Sequence, residues 1–309
     1  MTEFAHAPSS SKAWIITGPT AGIGRRTALE LARHGTVVLV GRNPDKLDEV
    51  KREIQAQSGH AVSVVCDLSD ITSARRAAAE IAALDLPISG LLNNAGIMSM
   101  RPFQTVQGWD GTFATDHLGP FALTEALIPY LPDRANVVFI CSAVEDPERK
   151  PAVVAGFRGG RYISAEASAR GEWVPGGSSH PGLDAYATSK QGNLATVLAF
   201  ARETPRLRFN AVEPGFCPGS DLGRDANLAL RLLSKYVLSP IAPHIKYWSN
   251  PKIAARVVTT VLTDETNRTG VYYDENGEPM VGSALVRDPA FQDRVVAETR
   301  ALLATVPIR

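Results

Sequence analysis

Apolar residues along this chain follow two alternating rhythms. Ala13-Trp14-Ile15-Ile16-Thr17 is an unbroken apolar run that stops at Gly18, the pattern of a strand buried on both faces. Ile23 to His34 then carries apolar positions at helical spacing, with Gly35 expected to close the helix. Thr36–Val40 reads as a second strand. Asn43-Pro44-Asp45 opens a helix, with Asn43 as N-cap and Pro44 at its first position. Ala61–Cys66 reads as a third strand, and Ser69/Asp70 caps a helix to about Leu84. Ile88–Leu92 is a fourth strand and Val106–Leu131 a long helix. Asn136–Cys141, Leu207–Val212 and Val271–Tyr273 complete about seven strands, with a helix predicted over Leu183–Glu203. Strand and helix in alternation give an α/β fold, a parallel sheet with helices on both faces. Strands this uniformly apolar do not belong to a one-sided sheet.

Two segments break the rhythm. Residues 145–181 are rich in Gly, Pro, Ser and charge. Residues 225–248 carry Leu228, Leu230, Leu232, Leu233, Tyr236 and Val237 in short helical patterns, part of an apolar segment over about 220–248. Ligands bind at the C-terminal edge of an open α/β sheet, so long excursions there are functional candidates. Residues 1–12 are polar, lack the apolar stretch of a signal peptide and read as a disordered leader. Residues 13–309 then form one domain.

Charge narrows the function. The 309 residues hold 32 Lys+Arg and 32 Asp+Glu, a formal net charge of +0. That balance argues against a nucleic-acid partner and against attraction to an anionic membrane. No apolar run is long enough to predict a membrane span. Cys66, Cys141 and Cys217 match no disulfide set or zinc pattern, so no metal is expected and a reducing, cytoplasmic setting fits.

Thr17-Gly18-Pro19-Thr20-Ala21-Gly22-Ile23-Gly24 follows a strand and opens a helix. Glycines there let a pyrophosphate approach the backbone, and the helix N-terminus offers it unpaired N–H groups. Tight turns also need glycine for steric reasons alone. The end of the second strand reads Val40-Gly41-Arg42-Asn43. It lacks the acid that holds the ribose of NAD and carries an arginine suited to a 2′-phosphate, which favours NADP(H).

Together with that turn, Asp67-Leu68, Asn93-Asn94-Ala95-Gly96, Ser142, Tyr186-Ala187-Thr188-Ser189-Lys190 and Pro214-Gly215 occur in the order typical of short-chain dehydrogenases/reductases. The chain resembles that family over roughly residues 13 to 300, in its retinol-dehydrogenase-like or protochlorophyllide-reductase-like branch. The resemblance implies a Rossmann-type, doubly wound sheet and assigns roles. Gly18, Thr20, Gly22, Ile23 and Gly24 would cradle the cofactor phosphates. Asp67 would contact adenine beside Leu68. Asn94, Ala95 and Gly96 would line the cofactor, and Pro214 and Gly215 would pass under the nicotinamide. Tyr186 would exchange a proton with the substrate oxygen, Lys190 would hold the ribose and Ser142 would hydrogen-bond the substrate. Independently, Tyr186 and Lys190 stand at i and i+4 on a predicted helix and so share a face.

The chain departs from the family pattern in four places. Phe139 and Cys141 replace polar residues before Ser142, as packing positions. Asp116 stands where retinol-dehydrogenase-like members carry an Asn of the proton relay; an ionised Asp accepts hydrogen bonds but cannot donate them. Ser220 is a candidate for the Thr that usually follows Pro-Gly. The 43 residues between Ser142 and Tyr186 exceed the family spacing, marking 145–181 as an insertion at the site rim: a substrate flap, or a surface excursion or subunit contact.

The expected function is an NADP(H)-dependent interconversion of an alcohol and a ketone or aldehyde on a small, apolar substrate. The rivals are a catalytically silent NADP(H)-binding sensor or scaffold, motivated by Asp116, and a non-redox dehydratase or epimerase on the same fold. Gly192, Ala195 and Ala199 are open to two readings, close helix packing in a homodimer or homotetramer, or ordinary core packing.

Overall fold

The computed structural model describes residues 12–218 and 239–307. The leader, Ser220 and most of the 220–248 segment lie outside the described residues. β1 (Ala13–Thr17), β2 (Thr36–Gly41), β3 (Ala61–Val65), β4 (Ile88–Asn93), β5 (Asn136–Ile140), β6 (Arg208–Val212), β7 (Val271–Tyr273) and β8 (Pro279–Met280) form one sheet in the order β3-β2-β1-β4-β5-β6-β7-β8. All neighbours are parallel except the β7–β8 edge pair. Strand order reverses between β1 and β4, where a doubly wound sheet opens its ligand crevice.

Alternation along the strands sorts the core into two layers. Ile16, Leu39, Leu92 and Val138 face α1 (Gly22–Leu31), α2 (Pro44–Gln55) and the helix Pro251–Thr263. Ile15, Val38, Leu91 and Val137 face α3 (Ile71–Ala82), α5 (Gly119–Leu127), α8 (Pro181–Glu203) and the helix Pro289–Ala304. Successive side chains point to opposite faces of a strand, so continuous apolar runs were required.

Local signals place the helix starts. Asn43 Oδ1 accepts from Lys46 N at 3.0 Å and Asp70 Oδ1 from Thr72 N at 3.0 Å. Gly35 does not close α1, which ends at Leu31. Gly35 instead lets β2 pass Lys12, whose carbonyl would lie 1.9 Å from a Cβ at this position. The helix expected from Val106 begins only at Gly111, because residues 104–109 form a tight turn and Asp110 caps Phe113 N at 2.8 Å. That helix comprises α4 (Gly111–Phe113), a π turn (Ala114–Leu118) and α5. π turns recur at functional sites because they reaim side chains inward.

The 145–181 segment folds back as α6 (Lys150–Val154) and α7 (Ala165–Ala169). Tyr162 Oη donates to Glu298 Oε2 at 2.8 Å, and Ala165 N donates to the same oxygen at 3.1 Å. Gly192 sits against the His117 ring, and Ala195 and Ala199 are fully buried in the core, so packing within this chain accounts for all three. A short helix, α9 (Ser239–Ile241), precedes α10 (Pro251–Thr263) and α11 (Pro289–Ala304). Among the described residues no helix is long and apolar enough to cross a membrane.

Candidate active site

The glycine turn is held in shape by side chains from the neighbouring strands. Thr17 Oγ1 accepts from Asn94 N and Ala95 N, both at 3.0 Å. Asn94 Nδ2 donates to the carbonyls of Thr17 at 2.9 Å and Gly18 at 3.1 Å. Gly18 and Gly22 adopt φ of 65° and 53°, which disfavour other residues. A Cβ on Gly24 would lie 2.2 Å from Gly18 O and 2.4 Å from Asn94 Nδ2, so this glycine closes the turn on β4. Thr20 and Ile23 are half-buried on the same turn, and the first turn of α1 carries no acidic residue. The cradle therefore fits a pyrophosphate.

A cavity of about 530 Å³ opens beyond β2 and β3, lined by Arg42, Arg76, Asp67, Ser69, Ser73 and their neighbours. Asp67 Oδ1 accepts from Ser69 N at 2.9 Å and Ser69 Oγ at 2.7 Å. Asp70 accepts from Gln107 Nε2 at 2.8 Å as well as capping α3. Both acids thus hold protein donors, while Arg42 and Arg76 bring two guanidinium groups to one wall. Leu68 turns into the core.

At the other end of the crevice, α8 carries Tyr186 and Lys190 on one face. Lys190 Nζ lies 5.2 Å from the Tyr186 ring centre, donates to Ile140 O at 3.1 Å and is 3.8 Å from Asp116 Oδ2. The π turn delivers Asp116 here, fully buried, with Ile97 N donating to its Oδ1 at 2.8 Å. A Cβ on Gly96 would approach Asp116 Oδ2 to 3.2 Å, so the exit of β4 passes close beside this pair. Burial, then the charges of Asp116 and Glu213, push the Tyr186 phenol well above its ordinary value. His117, next in the π turn, packs between Asn193 Oδ1 at 3.0 Å and Thr299 Oγ1 at 3.2 Å, and burial lowers it to about 4.

Ser142 leaves β5 in extended backbone beside Glu213, and its hydroxyl favours the ionised form of that carboxyl. Glu213 directly follows β6, with Ala143 N donating to Oε2 and Gly215 N to Oε1 at 3.1 Å. Burial raises the Glu213 carboxyl. Gly215 needs its φ of 74° and meets Glu275 and Tyr247 O closely where a Cβ would stand. Phe157 from the inserted segment, with Leu183, Ala187 and Ala152, forms an apolar wall beside Tyr186, whose ring centre is 6.3 Å from that of Phe157. Cys141 is a buried packing residue, its thiol pushed up by burial.

A family model described as short chain dehydrogenase matches residues 12–153. A short-chain dehydrogenase/reductase of Armillaria gallica is 28% identical over 291 residues, covering 89% of this chain and 88% of that protein. Over most of its length the chain is thus similar to short-chain dehydrogenases/reductases. Human retinol dehydrogenase 13 is 29% identical over 279 residues, covering 85% of this chain and 76% of that protein. Mouse polyprenol dehydrogenase is 39% identical over 127 residues, 40% of this chain and 38% of that protein. Among solved structures, a short chain dehydrogenase from Burkholderia cenocepacia in complex with NADP shares the fold at TM-score 0.62 and 21% identity, covering 87% of this chain and 98% of that one. The chain shares the Rossmann-like α/β fold of that enzyme.

Within that family frame, the structure brings Ser142, Tyr186, Lys190 and Asp116 to one end of the crevice and Arg42 and Asp67 to the other. Sequence reasoning did not single out Arg76, Glu213 or Thr17. A charged Glu213 at the end of the apolar run Phe209–Val212 was the available signal. For Arg76 the signal was its i,i+3 spacing from Ser73 on the helix that Asp70 caps.

Proposed function

We propose that this protein is an NADP(H)-dependent oxidoreductase that interconverts an alcohol and a ketone or aldehyde on a small, apolar substrate. The observation that carries the reading is the buried pair Tyr186 and Lys190 at the C-terminal edge of the sheet, where Ser142 leaves β5. Arg42 and Arg76 on one cavity wall support NADP(H) over NAD(H), because the extra phosphate is a dianion that guanidinium groups bind well. When bound, the nicotinamide cofactor supplies or accepts the hydride. Gly18, Gly22 and Gly24 would hold its pyrophosphate, with Thr20 and Ile23 beside it. Asn94, Ala95, Gly96, Pro214 and Gly215 would line it, and Asp67 would meet its adenine.

Tyr186 would give a proton to the substrate oxygen in reduction and take it back in oxidation. Lys190, with its cationic head under the Tyr186 ring, favours phenolate and opposes Asp116 and Glu213. Ser142 would donate a hydrogen bond to the substrate oxygen. The apolar wall of Phe157, Leu183 and Ala187 favours a lipophilic substrate, in keeping with relatives named for retinol and polyprenol.

A panel of lipophilic alcohols and carbonyls, followed by cofactor absorbance, tests this. Turnover that Tyr186→Phe removes by at least about a hundredfold supports it. Tight NADPH binding with no turnover in either protein would instead favour the second reading, a silent NADP(H) binder. The Lys190–Asp116 ion pair is the observation behind that alternative.

A further inference from the structure

Glu213 is a buried acid beside Ser142, and its carboxyl is surrounded by donors. Backbone N–H groups of Ala143 and Gly215 donate to its two oxygens, and Tyr272 Oη donates to Oε2 at 3.5 Å. The Ala143 bond brings Ser142, one residue earlier, beside this carboxyl, and the Ser142 hydroxyl favours its ionised form. Arg149, on the root of the inserted segment, is the cation facing this carboxyl. Among the described residues, Cys141 just after β5, Tyr186 on α8, Cys217 beyond Gly215 and Glu145 in the turn after Ser142 are further titratable groups around it. Ile140 and Val212 pair at the ends of adjacent parallel strands, so the sheet keeps the residues that follow, Ser142 and Glu213, close together.

A serine hydroxyl has one proton to donate, and an ionised carboxylate can only accept. We propose that Glu213 is a positioning residue that decides where the single Ser142 proton points. Ionised, Glu213 takes that proton for itself, and Ser142 offers the substrate oxygen only lone pairs. Protonated, Glu213 donates to Ser142, and the Ser142 proton turns to the substrate oxygen, where negative charge develops during hydride transfer. No bond beyond these hydrogen bonds changes; one proton moves between Glu213 and solvent. Burial favours the protonated form and outweighs the backbone donors, Ser142 and Arg149, which favour the ionised one.

This inference rests on the oxidoreductase reading for its kinetic consequence, but not for its physical core. Infrared difference spectra of the whole protein across pH test that core, with Glu213→Gln assigning the protonated carboxyl band. Ser142→Ala removes a donor to the ionised form, so the band is expected to persist to higher pH in that variant. A band that titrates identically in wild type and Ser142→Ala, or no protonated Glu213 at any accessible pH, overturns the proposal. With any carbonyl substrate that wild type reduces, kcat/KM is expected to fall about tenfold as Glu213 ionises, the scale of one lost hydrogen bond in the transition state. Glu213→Gln, whose amide donates at every pH, is expected to abolish that limb, and Glu145→Gln to leave it in place. A uniform drop with an unchanged profile in Glu213→Gln also overturns the proposal. Absence of any turnover in wild type would sink the oxidoreductase reading and leave the infrared result to decide this one.

Discussion

At the scale of single residues, Asp116 and Arg76 carry the sharpest expectations. Asp116 is isosteric with Asn yet adds a buried charge 3.8 Å from Lys190 and raises the Tyr186 phenol. Asp116→Asn removes that charge while its amide oxygen can still accept from Ile97 N. The pH at which alcohol oxidation rises should therefore move down, because phenolate forms more readily. A pH profile of kcat/KM that does not move, or moves up, would rule out this coupling. Lys190→Ala should behave differently. It leaves a buried carboxylate without its cation, and breaking such a pair typically costs about 3–5 kcal/mol, readable as a lowered urea midpoint. At the cofactor end, Arg42→Ala and Arg76→Ala should each weaken NADPH binding by roughly tenfold and leave NADH nearly unchanged. Calorimetric titration of both cofactors separates that outcome from a general loss of the site.

Elements explain which of these residues could be read in advance. β1, β2, α2 and α3 were legible because continuous apolar runs, Asn43, Pro44 and Asp70 are local signals that the structure uses as such. Gly18 to Gly24 was legible for the same reason. The π turn was not, since a continuous helical pattern hides one extra residue per turn; its effect is to turn Asp116 and His117 inward together. α10 and α11 carried no motif and escaped notice, although α11 seals one side of α8. Glu213 was hidden because its meaning comes from Ser142 on the neighbouring strand, a contact 71 positions away. The inserted segment was visible only as an excess of length, and the structure shows it anchored on Glu298 and presenting Phe157 to Tyr186. If that wall contacts substrate, Phe157→Ala should raise KM for apolar substrates by roughly tenfold, about the loss of one aromatic contact, with a smaller change in kcat. Equal KM values for apolar and polar substrates before and after the change would assign the segment a purely structural role.

For the whole molecule, the balance of +0 conceals buried groups that respond to pH in opposite senses. Burial lowers His117 from 6.5 to about 4, so the native state binds this proton less tightly than the unfolded chain and loses stability as pH falls through that window. Glu145 does the reverse. Its carboxylate accepts from Ser283 N at 2.8 Å and Ser283 Oγ at 2.6 Å, joining the root of the inserted segment to the stretch before α11. Burial nevertheless raises it from 4.5 to about 7, so the native state holds this proton more tightly. Its stabilisation is complete below 4.5 and is lost as pH rises toward 7. Each gap corresponds to on the order of 3 kcal/mol. Between about pH 4.5 and 6.5 the two slopes should nearly cancel, which holds stability flat across that interval. Glu145→Gln keeps an acceptor for Ser283 N and removes only the proton equilibrium. Its stability should then climb with pH up to about 6.5 under the influence of His117, and exceed that of wild type above 7. Urea unfolding at pH 5, 6.5 and 8 checks this, and parallel curves for the two proteins would show that Glu145 is not the group responsible.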